Sequence, residues 1–373
     1  MHRGRERRTR PPEDALTRLL IGIPARNEAD SIVALAERLE CGAASLAASC
    51  DTRLALAYQP SDDDTLDRFV ARPTAMPQLV LESTDGVAGK GANVKLVLRR
   101  ALEDGDDYVL LVDADLTNYD PCNVARAVAF AERNGHQLVL PLWPRPQMQA
   151  NTTNYLACPL MFATCGARIR QPIAGHMLIG RSLLERLDLD ALPDDFGVDV
   201  VITLTALRED ARVGQVELVA PDHPSKKGNS ERVMKQVATS LLRALATMPR
   251  IDRRDVAWPD RYWESWAWPR NAGIEPDYAD VIMQHSTSES DLARWLVYGE
   301  SGDDAVAEMW CDNLADAVRR IRSPHPDLTR IVDDLVCPFF VHAEHRARRV
   351  ASVAELEAYV SNLALRLAAR LHA

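Results

Sequence analysis

Two carboxylates close an apolar run near the middle of the chain, in a pattern that suits a metal ion. The run Tyr108–Val112 (Y-V-L-L-V) is followed by Asp113 and, after one further residue, by Asp115. Side chains alternate along a strand, so both carboxylates reach one ligand only if the chain turns there. Paired negative charge at a strand end is costly, and a hard cation with oxygen ligands offsets that cost. The pattern favours a divalent-ion site; the alternative is a capping pair in a solvated loop.

Three other segments carry groups that suit a nucleotide and its diphosphate. Pro24–Glu28 (P-A-R-N-E) follows an apolar run, and ligands of open α/β sheets lie beyond the carboxyl ends of strands. Gly89–Gly91 (G-K-G) precedes an amphipathic run whose helix N-terminus would favour anions, although the Walker A spacing is absent. His223, in P-D-H-P-S-K-K, is a candidate metal ligand beside two lysines. Taken singly, these patterns are also typical of a capped turn, a surface lysine and a surface histidine.

An alternation of apolar and amphipathic runs predicts the elements that must position these groups. Apolar runs of strand length are found at Leu19–Ile23, Leu54–Tyr58, Gln78–Glu82, Tyr108–Val112, Gln137–Leu142 and Gln215–Val219. Helices are expected near Glu28–Leu39, Asp63–Val70, Lys90–Glu103 and Pro121–Asn134. Strand–helix alternation at this spacing predicts a mostly parallel sheet with helices on both faces, which is a Rossmann-like α/β fold.

The second half of the chain is predicted to become mostly helical. Helices are expected at Thr153–Cys165, Gly197–Leu207, Ser230–Met248, Ser290–Tyr298, Asp304–Arg322, Leu328–His345 and Val353–His372. The tryptophan-rich segment Trp258–Trp268 is expected to form an ordered loop. We therefore divide the chain into a disordered basic tail at 1–15, an α/β catalytic domain at 16–228 and a helical C-terminal region at 229–373.

Composition and charge exclude several classes of protein. The 373 residues carry a formal net charge of −10 and show no basic stripe outside Met1–Arg10, so nucleic acid is not an expected partner. No apolar run approaches the roughly 20 residues of a transmembrane helix, and the basic start lacks the apolar core of a secretory signal. The seven cysteines form no C-x-x-C pair, which is typical of reduced thiols in a cytoplasmic protein. An anionic ligand would need a local counter-charge, such as a metal ion or a lysine.

Six segments in a fixed order resemble the motifs of one enzyme family. They are Pro24–Glu28, Gly89–Gly91, Asp113–Asp115, Gln171–Gly175 (Q-P-I-A-G), Phe196–Asp199 (F-G-V-D) and His223. The chain thereby resembles the retaining GT-A glycosyltransferases, a group that includes mannosylglycerate synthase and glucosyl-3-phosphoglycerate synthase. The resemblance implies a nucleotide-sugar-binding GT-A domain that moves a hexose from a UDP- or GDP-hexose to a small hydroxylated acceptor. It also implies Mg²⁺ or Mn²⁺ as cofactor and a homodimer.

The resemblance assigns the nucleotide and the metal to the first strand ends. The residues that would line or face the nucleoside pocket are Pro24, Ala25, Arg26, Asn27, Glu28 and Lys90. Asp113 would contact the ribose and lie at the metal, while Asp115 and His223 would bind Mg²⁺ or Mn²⁺ on the diphosphate. The ion and nearby cations would stabilise the charge that develops on the leaving nucleoside diphosphate, which is electrostatic catalysis.

The resemblance assigns the donor sugar to later segments. Gln171–Gly175 would hold the sugar, with the backbone carbonyl of Ile173 or Ala174 near the anomeric carbon. Asp199 would position the donor sugar or the acceptor. In retaining enzymes of this type the acceptor attacks the face that the diphosphate leaves, and the departing phosphate oxygen takes its proton. No covalent protein nucleophile is then required, and no second carboxylate stands out as one.

Departures from the family's pattern concern the acceptor, whose expected contacts are Arg26, Asn151, Thr153 and His176. The family's Q-P-L-G-G-E reads Q-P-I-A-G-H here, so His176 replaces an acid. Asn151 stands where the 3-phosphoglycerate enzymes carry an arginine, and a phosphate loses its bidentate partner in that exchange. Thr153 is kept, and Arg26 is a compensating cation. The exchange argues against 3-phosphoglycerate and leaves the acceptor open.

Other function classes make different demands on the same residues. A sugar-phosphate nucleotidyltransferase would need a G-x-G-[ST]-R loop after the first strand, where this chain has Pro24–Glu28. A processive inverting glycosyltransferase would need a [QR]-x-x-R-W box, and the near match Asp291–Trp295 has the wrong first residue. A non-catalytic sugar-nucleotide-binding protein stays open, and slow metal-dependent hydrolysis of a sugar nucleotide would separate an enzyme from it.

Overall fold

The computed structural model describes most of the sheet region and the last three helices. The described residues are 16–83, 86–145, 150–222, 229–248, 252–256, 278–286, 302–347, 349–350 and 352–372. Several sequence predictions lie outside these ranges, namely those on the tail 1–15, His223, Trp258–Trp268, Ser290–Tyr298 and Asp291–Trp295.

A seven-stranded sheet forms the centre of the described structure. Its strands are β1 (Thr17–Ala25), β2 (Cys50–Tyr58), β3 (Gln78–Glu82), β4 (Tyr108–Leu111), β5 (Leu138–Leu142), β6 (Met177–Gly180) and β7 (Val213–Glu217). Their order is β3-β2-β1-β4-β6-β5-β7. β6 runs antiparallel to β4 and β5, whereas the other neighbouring strands pair in parallel. The prediction of a mostly parallel sheet is confirmed.

Helices cover both faces of this sheet. Those of the sheet region are α1 (Ile32–Ala44), α2 (Thr65–Ala71), α3 (Lys90–Asp104), α4 (Cys122–Asn134), α5 (Cys158–Cys165), α6 (Arg181–Leu184) and α7 (Val198–Arg208). The later helices are α8 (Ser230–Thr247), α9 (Tyr278–His285), α10 (Asp303–Ile321), α11 (Leu328–Ala347) and α12 (Val353–His372). One buried apolar cluster joins the sheet to α1 and α4, and a second joins it to α3, α5, α7 and the C-terminal helices.

The structure adds three elements to the predicted frame, β6, α6 and α9, and shifts one. β6 was not predicted, because its four residues are too short a run to show a period. α9 was also missed, and it spans only eight residues. α1 begins at Ile32 instead of Glu28, and the amides of Glu28 and Ala29 donate to the side chains of Thr65 and Asp63. The predicted helix Thr153–Cys165 begins as a π-helical turn, Thr152–Ala157, ahead of α5.

The C-terminal helices share the core of the sheet region. Trp310 of α10 is fully buried, and its indole nitrogen donates to the carbonyl of Tyr155 at 2.6 Å. Tyr155 lies in the π-helical turn, where the wider ring changes which carbonyls are paired. The indole therefore supports an irregular turn that carries two of the pocket residues described below. The predicted boundary at residue 228 lies outside the described ranges.

Two further expectations concern the chain as a whole. All seven cysteines lie in the described part of the chain and are free thiols, and five of them are buried. This agrees with the expectation of reduced cysteines. Within the described ranges, no helix combines the length and the apolar character needed to cross a bilayer.

Candidate active site at the carboxyl edge of the sheet

The predicted carboxylates lie at the centre of the sheet's carboxyl edge. β1 and β4 are parallel neighbours, with Gly22 beside Leu111. The chain leaves β4 through Val112, whose amide donates to the carbonyl of Gly22 at 3.0 Å, and turns directly afterwards. Asp113 and Asp115 therefore follow the strand that lies next to the end of β1. The turn required for both carboxylates to serve one site is present.

Lys90 joins three segments of the chain by two ion pairs. Its Nζ lies 2.8 Å from Oδ1 of Asp113 and 2.7 Å from Oδ2 of Asp199. Burial by itself would lower the pKa of Lys90, but the two carboxylates raise it above its ordinary value. Burial raises the pKa of Asp199 to about 6, with Lys90 opposing the rise and Asp113 adding to it. The lysine stays charged and fixes the start of α3 against β4 and α7.

The loop before α3 is fixed by a buried glutamine and by glycine packing. The side chain of Gln59 donates to the carbonyl of Gly89 at 3.2 Å and accepts from the amide of Gly89 at 3.0 Å. Gly89 has φ 143°, a conformation that favours glycine. A Cβ on Gly91 would lie 2.0 Å from the carbonyl oxygen of Pro193. Gly89 is therefore required by its backbone conformation and Gly91 by packing. Both reasons differ from the close approach of a diphosphate that the sequence suggested.

The loop Gln171–Gly175 lies between the two carboxylates that Lys90 joins. Its first side chain, Gln171, donates to the carbonyl of Trp143 at 2.6 Å. The carbonyl of Pro172 accepts from the hydroxyl of Thr203 at 2.9 Å, one helical turn beyond Asp199. At its other end, Gly175 lies directly against the carboxylate of Asp113. Four of the six motifs named from the sequence thus meet here.

Gly175→Ala is expected to displace Asp113. The new Cβ would lie 1.7 Å from Oδ2 of Asp113, so either the carboxylate or the loop must move. Overpacking of this kind costs about 1–3 kcal/mol of unfolding free energy. Gly302→Ala is the control, because no atom of the described residues lies within 4 Å of the position that its new methyl group would take. Urea unfolding measures both variants, and equal losses would contradict the close packing of Gly175 on Asp113.

The segment Pro24–Glu28 is held against the loop that follows β2. Asn27 has φ 56°, and its side-chain oxygen accepts from the amide of Asp62 at 2.8 Å. The amide of Glu28 donates to the hydroxyl of Thr65 at 2.8 Å, and the carbonyl of Ala25 accepts from buried Asn93 at 3.1 Å. Arg26 is exposed. These bonds shape the segment, and its contact with a nucleoside stays a prediction.

A short backbone pairing brings the segment before His223 to the loop that carries Asp115. The amide of Thr117 donates to the carbonyl of Asp222 at 2.8 Å, and the amide of Asp222 donates back at 2.9 Å. His223 is the next residue but lies outside the described ranges. Within those ranges no group of three histidine, cysteine, aspartate or glutamate side chains is placed to hold a metal ion. The pairing places Asp222 beside the loop of Asp115, and the metal site of Asp113, Asp115 and His223 stays a prediction.

The predicted acceptor residues differ in where the structure places them. Asn151 donates its amide to the hydroxyl of Tyr278 and is buried. His176 is also buried, with Nε2 2.9 Å from the hydroxyl of Tyr119. Burial lowers the pKa of His176 to about 4, so the imidazole is neutral. Of the four predicted acceptor residues, Thr153 lines a pocket.

This pocket, which we call the helix-side pocket, opens between the sheet edge and α12. Its empty space, about 350 Å³, includes open solvent at its mouth. The polar residues in its wall are Arg145, Thr153, Asn154, Arg170, Gln171 and Glu357. Sequence reasoning missed four of these, Arg145, Asn154, Arg170 and Glu357. Arg145 follows a predicted strand and Arg170 directly precedes the Gln171 motif, so their positions in the sequence could have identified them. Nothing in the sequence around Glu357 on α12 marked it as a pocket residue.

A buried ion pair connects this pocket to the C-terminal helix. Arg170 Nε lies 2.9 Å from both carboxylate oxygens of Glu357, and both side chains are less than a tenth exposed. The backbone amide of Arg170 also donates to the side-chain oxygen of Gln215 in β7 at 2.8 Å. Because Arg170 directly precedes Gln171, α12 helps to fix the loop that reaches Asp113.

Solved structures with a similar fold support the architecture. Glucosyl-3-phosphoglycerate synthase from Mycobacterium tuberculosis, in complex with Mn²⁺, UDP and phosphoglyceric acid, has a TM-score of 0.51 and 23% identity, over 61% of this chain and 78% of that chain. Its complex with Mn²⁺, UDP and glucosyl-3-phosphoglycerate has a TM-score of 0.50 and 24% identity, over 61% and 79%. No protein-family model matches the sequence, and no curated protein matches it. At this identity the likeness shows the fold, and it confirms a GT-A α/β sheet region with a helical C-terminal region.

Proposed function

We propose that this chain is a metal-dependent, retaining glycosyltransferase that moves a hexose from a nucleoside-diphosphate sugar to a small hydroxylated acceptor. The observation that carries the proposal is the meeting of Lys90, Asp113, Asp199 and Gly175 at the carboxyl edge of a GT-A sheet. The M. tuberculosis enzyme of similar fold binds Mn²⁺, UDP and UDP-glucose, which supports a uridine nucleotide and Mn²⁺ here. Free cysteines support a reducing, cytoplasmic compartment.

The proposed metal site uses Asp113, Asp115 and His223. Carboxylate oxygens suit Mg²⁺ and Mn²⁺, and the Thr117–Asp222 pairing supports the approach of His223 to them. When bound, the ion would neutralise charge on the leaving diphosphate. Lys90 would add a fixed positive charge at the same edge, because the two carboxylates that hold it also keep it protonated.

The other predicted residues would orient the donor sugar. Gln171–Gly175 is fixed at both ends and would place the carbonyl of Ile173 or Ala174 near the anomeric carbon. Asp199 is committed to Lys90 and would act by position, so the acceptor's proton would pass to the departing phosphate oxygen. This division of roles fits retention without a covalent protein intermediate.

A thermal-shift experiment with UDP-glucose tests the proposal. At a ligand concentration near 100 times Kd, binding adds about 2.7 kcal/mol of stability, and Mn²⁺ is expected to increase the shift. Asp115→Asn and His223→Ala should each abolish the Mn²⁺-dependent part. Asp67→Asn, an exposed aspartate on α2, is the control and should keep it.

Turnover separates an enzyme from a binding protein at this site. We expect slow, Mn²⁺-dependent release of UDP from UDP-glucose without acceptor. A Mn²⁺-dependent thermal shift without hydrolysis or transfer, for UDP-glucose and for GDP-hexoses alike, would favour a non-catalytic sugar-nucleotide-binding protein. If Asp115→Asn and His223→Ala both keep the full shift, the metal assignment is wrong.

A further inference from the structure

We propose that the helix-side pocket is the acceptor site and that Asn154 selects an uncharged, polyhydroxylated acceptor, that is, a polyol or a sugar. The inference rests on the proposed function and names its second substrate by chemical class. The pocket adjoins the proposed donor-sugar loop, because Gln171 begins that loop and also lines the pocket. An acceptor bound there would lie next to the transferred hexose.

Two buried side-chain amides in the pocket wall carry atoms that have no hydrogen-bond partner in the described structure. Asn154 is 1% exposed, and neither its side-chain oxygen nor its side-chain nitrogen has a partner in the described structure. Gln171 is 3% exposed, and its side-chain oxygen likewise has none there. Native proteins leave few buried polar atoms unsatisfied, since each costs the free energy of its lost hydration. Both residues belong to the wall of one pocket, and this shared position points to a ligand that completes them after a small adjustment of the side chains.

The pattern of these atoms identifies the ligand as a bearer of hydroxyl groups. The two amide oxygens of Asn154 and Gln171 need donors, and the amide nitrogen of Asn154 needs an acceptor. A hydroxyl group both donates and accepts, so neighbouring hydroxyls satisfy all three atoms. A phosphate or carboxylate would satisfy the nitrogen alone and would set its negative charge against the two oxygens.

The charges around the pocket also favour an uncharged ligand. Arg170 is paired with Glu357 inside the protein. Arg145 lies close enough to Asp113 and Asp115 for their negative charges to offset its positive charge. Arg170 is thus committed inside the protein and the charge of Arg145 is offset by nearby carboxylates, so the described part of the wall is not a strongly cationic site for a phosphate. The M. tuberculosis enzyme of similar fold was solved with phosphoglyceric acid and with glycerol 3-phosphate, and this chain is inferred to differ from it.

Matched acceptors with and without a phosphate test the class. The pairs are glycerol with glycerol 3-phosphate and glucose with glucose 6-phosphate, each with UDP-glucose and Mn²⁺. Transfer is measured as UDP released above the acceptor-free rate, with the glycoside identified by mass spectrometry. We expect the uncharged member of a pair to have a kcat/KM at least about tenfold higher, because a buried polar site discriminates strongly against a mismatched group. A preference for the phosphorylated members would overturn the inference.

Asn154→Leu tests the residue itself. It should lower the kcat/KM for the acceptor by about 100-fold, a much larger loss than any in acceptor-free hydrolysis of UDP-glucose. It should also raise the melting temperature by about 1–3 °C, because an unsatisfied buried amide is replaced by an apolar group of similar size. Asn123→Leu is the matched control for stability: Asn123 is fully buried but bonds Val219 twice, at 2.8 and 2.9 Å, so its melting temperature should fall.

The outcomes separate this inference from the proposed function. If UDP-glucose is hydrolysed but Asn154→Leu keeps the acceptor kinetics and melts at a lower temperature, the role of Asn154 is wrong. If no donor is turned over, saturation-transfer NMR with glucose still tests the pocket. We expect glucose signals from the wild-type protein that Asn154→Leu loses, and signals of equal strength from both would overturn the assignment.

Discussion

Lys90→Met is expected to lower kcat/KM for hexose transfer by about 10²–10³-fold, the loss typical when one preorganised charge is removed from an active site. The substitution keeps the length of the side chain but removes the cation that holds Asp113 at 2.8 Å and Asp199 at 2.7 Å. The two carboxylates would then repel each other, and the pKa of buried Asp199 would rise further. Steady-state kinetics with UDP-glucose, Mn²⁺ and an acceptor measure the effect.

Lys95→Met is the matched control for this prediction. Lys95 lies in the same helix, is 9% exposed and pairs with Asp194, away from Asp113 and Asp199. Its replacement should cost stability and leave kcat/KM within about threefold of the wild-type value, because surface and structural ion pairs do not act on the transition state. Equal losses of kcat/KM in both variants would show that Lys90 acts only through the fold.

Glu357→Gln is expected to lower the free energy of unfolding by about 3–5 kcal/mol, because it removes the charge opposite a buried arginine. Glu357 and Arg170 are 3% and 7% exposed at their side chains. Replacing both residues, as Arg170→Met with Glu357→Met, should recover most of that stability, since a buried pair gains little over apolar groups of similar volume. Urea unfolding measures the single and double variants.

Glu308→Gln controls for the charge change itself. Glu308 pairs with Arg366 and Arg370 on the protein surface and is 45% exposed at its side chain. Its loss should cost less than about 1 kcal/mol, as is usual for exposed ion pairs. The double variant at Arg170 and Glu357 should stay impaired in transfer despite its recovered stability, because the loop beginning at Gln171 has lost its tie to α12. Full activity in that variant would contradict this positioning role.

The sequence predicted the elements whose patterns are local. β1, β2, β4 and β5 were placed within a few residues of their limits, because buried strands of parallel sheets contain continuous apolar runs between turns. β3, a partly exposed edge strand, was placed at its observed limits. The paired aspartates could be found for the same reason, since they follow such a run directly. β6 could not, because four apolar residues between a loop and a short helix show no period.

The candidate site was predictable only where its chemistry lies in short motifs. Lys90 was expected to face the nucleoside, and the structure shows its contacts to Asp113 and Asp199, which are 23 and 109 positions away in the sequence. Asn154 looked like an ordinary helix residue, and its unsatisfied amide lies in the π-helical turn, which the sequence did not predict. Glu357 is 187 positions from Arg170 in the sequence, so no local sequence pattern could predict their ion pair.

The reversed direction of β6 decides where the chain can be altered. Since β6 runs against β4 and β5, the segment between β5 and β6 leaves the sheet and returns to it at the same edge. That segment, residues 143–176, carries Asn154, Arg170 and the loop to Gly175, whereas Lys90, Asp113 and Asp115 lie outside it. It is therefore one continuous insertion with neighbouring entry and exit points, tied to α10 through Tyr155 and to α12 through Arg170. On the proposed function, grafting it between relatives of this fold is expected to exchange the acceptor pocket together with the donor-sugar loop, while the proposed nucleotide and metal residues are kept.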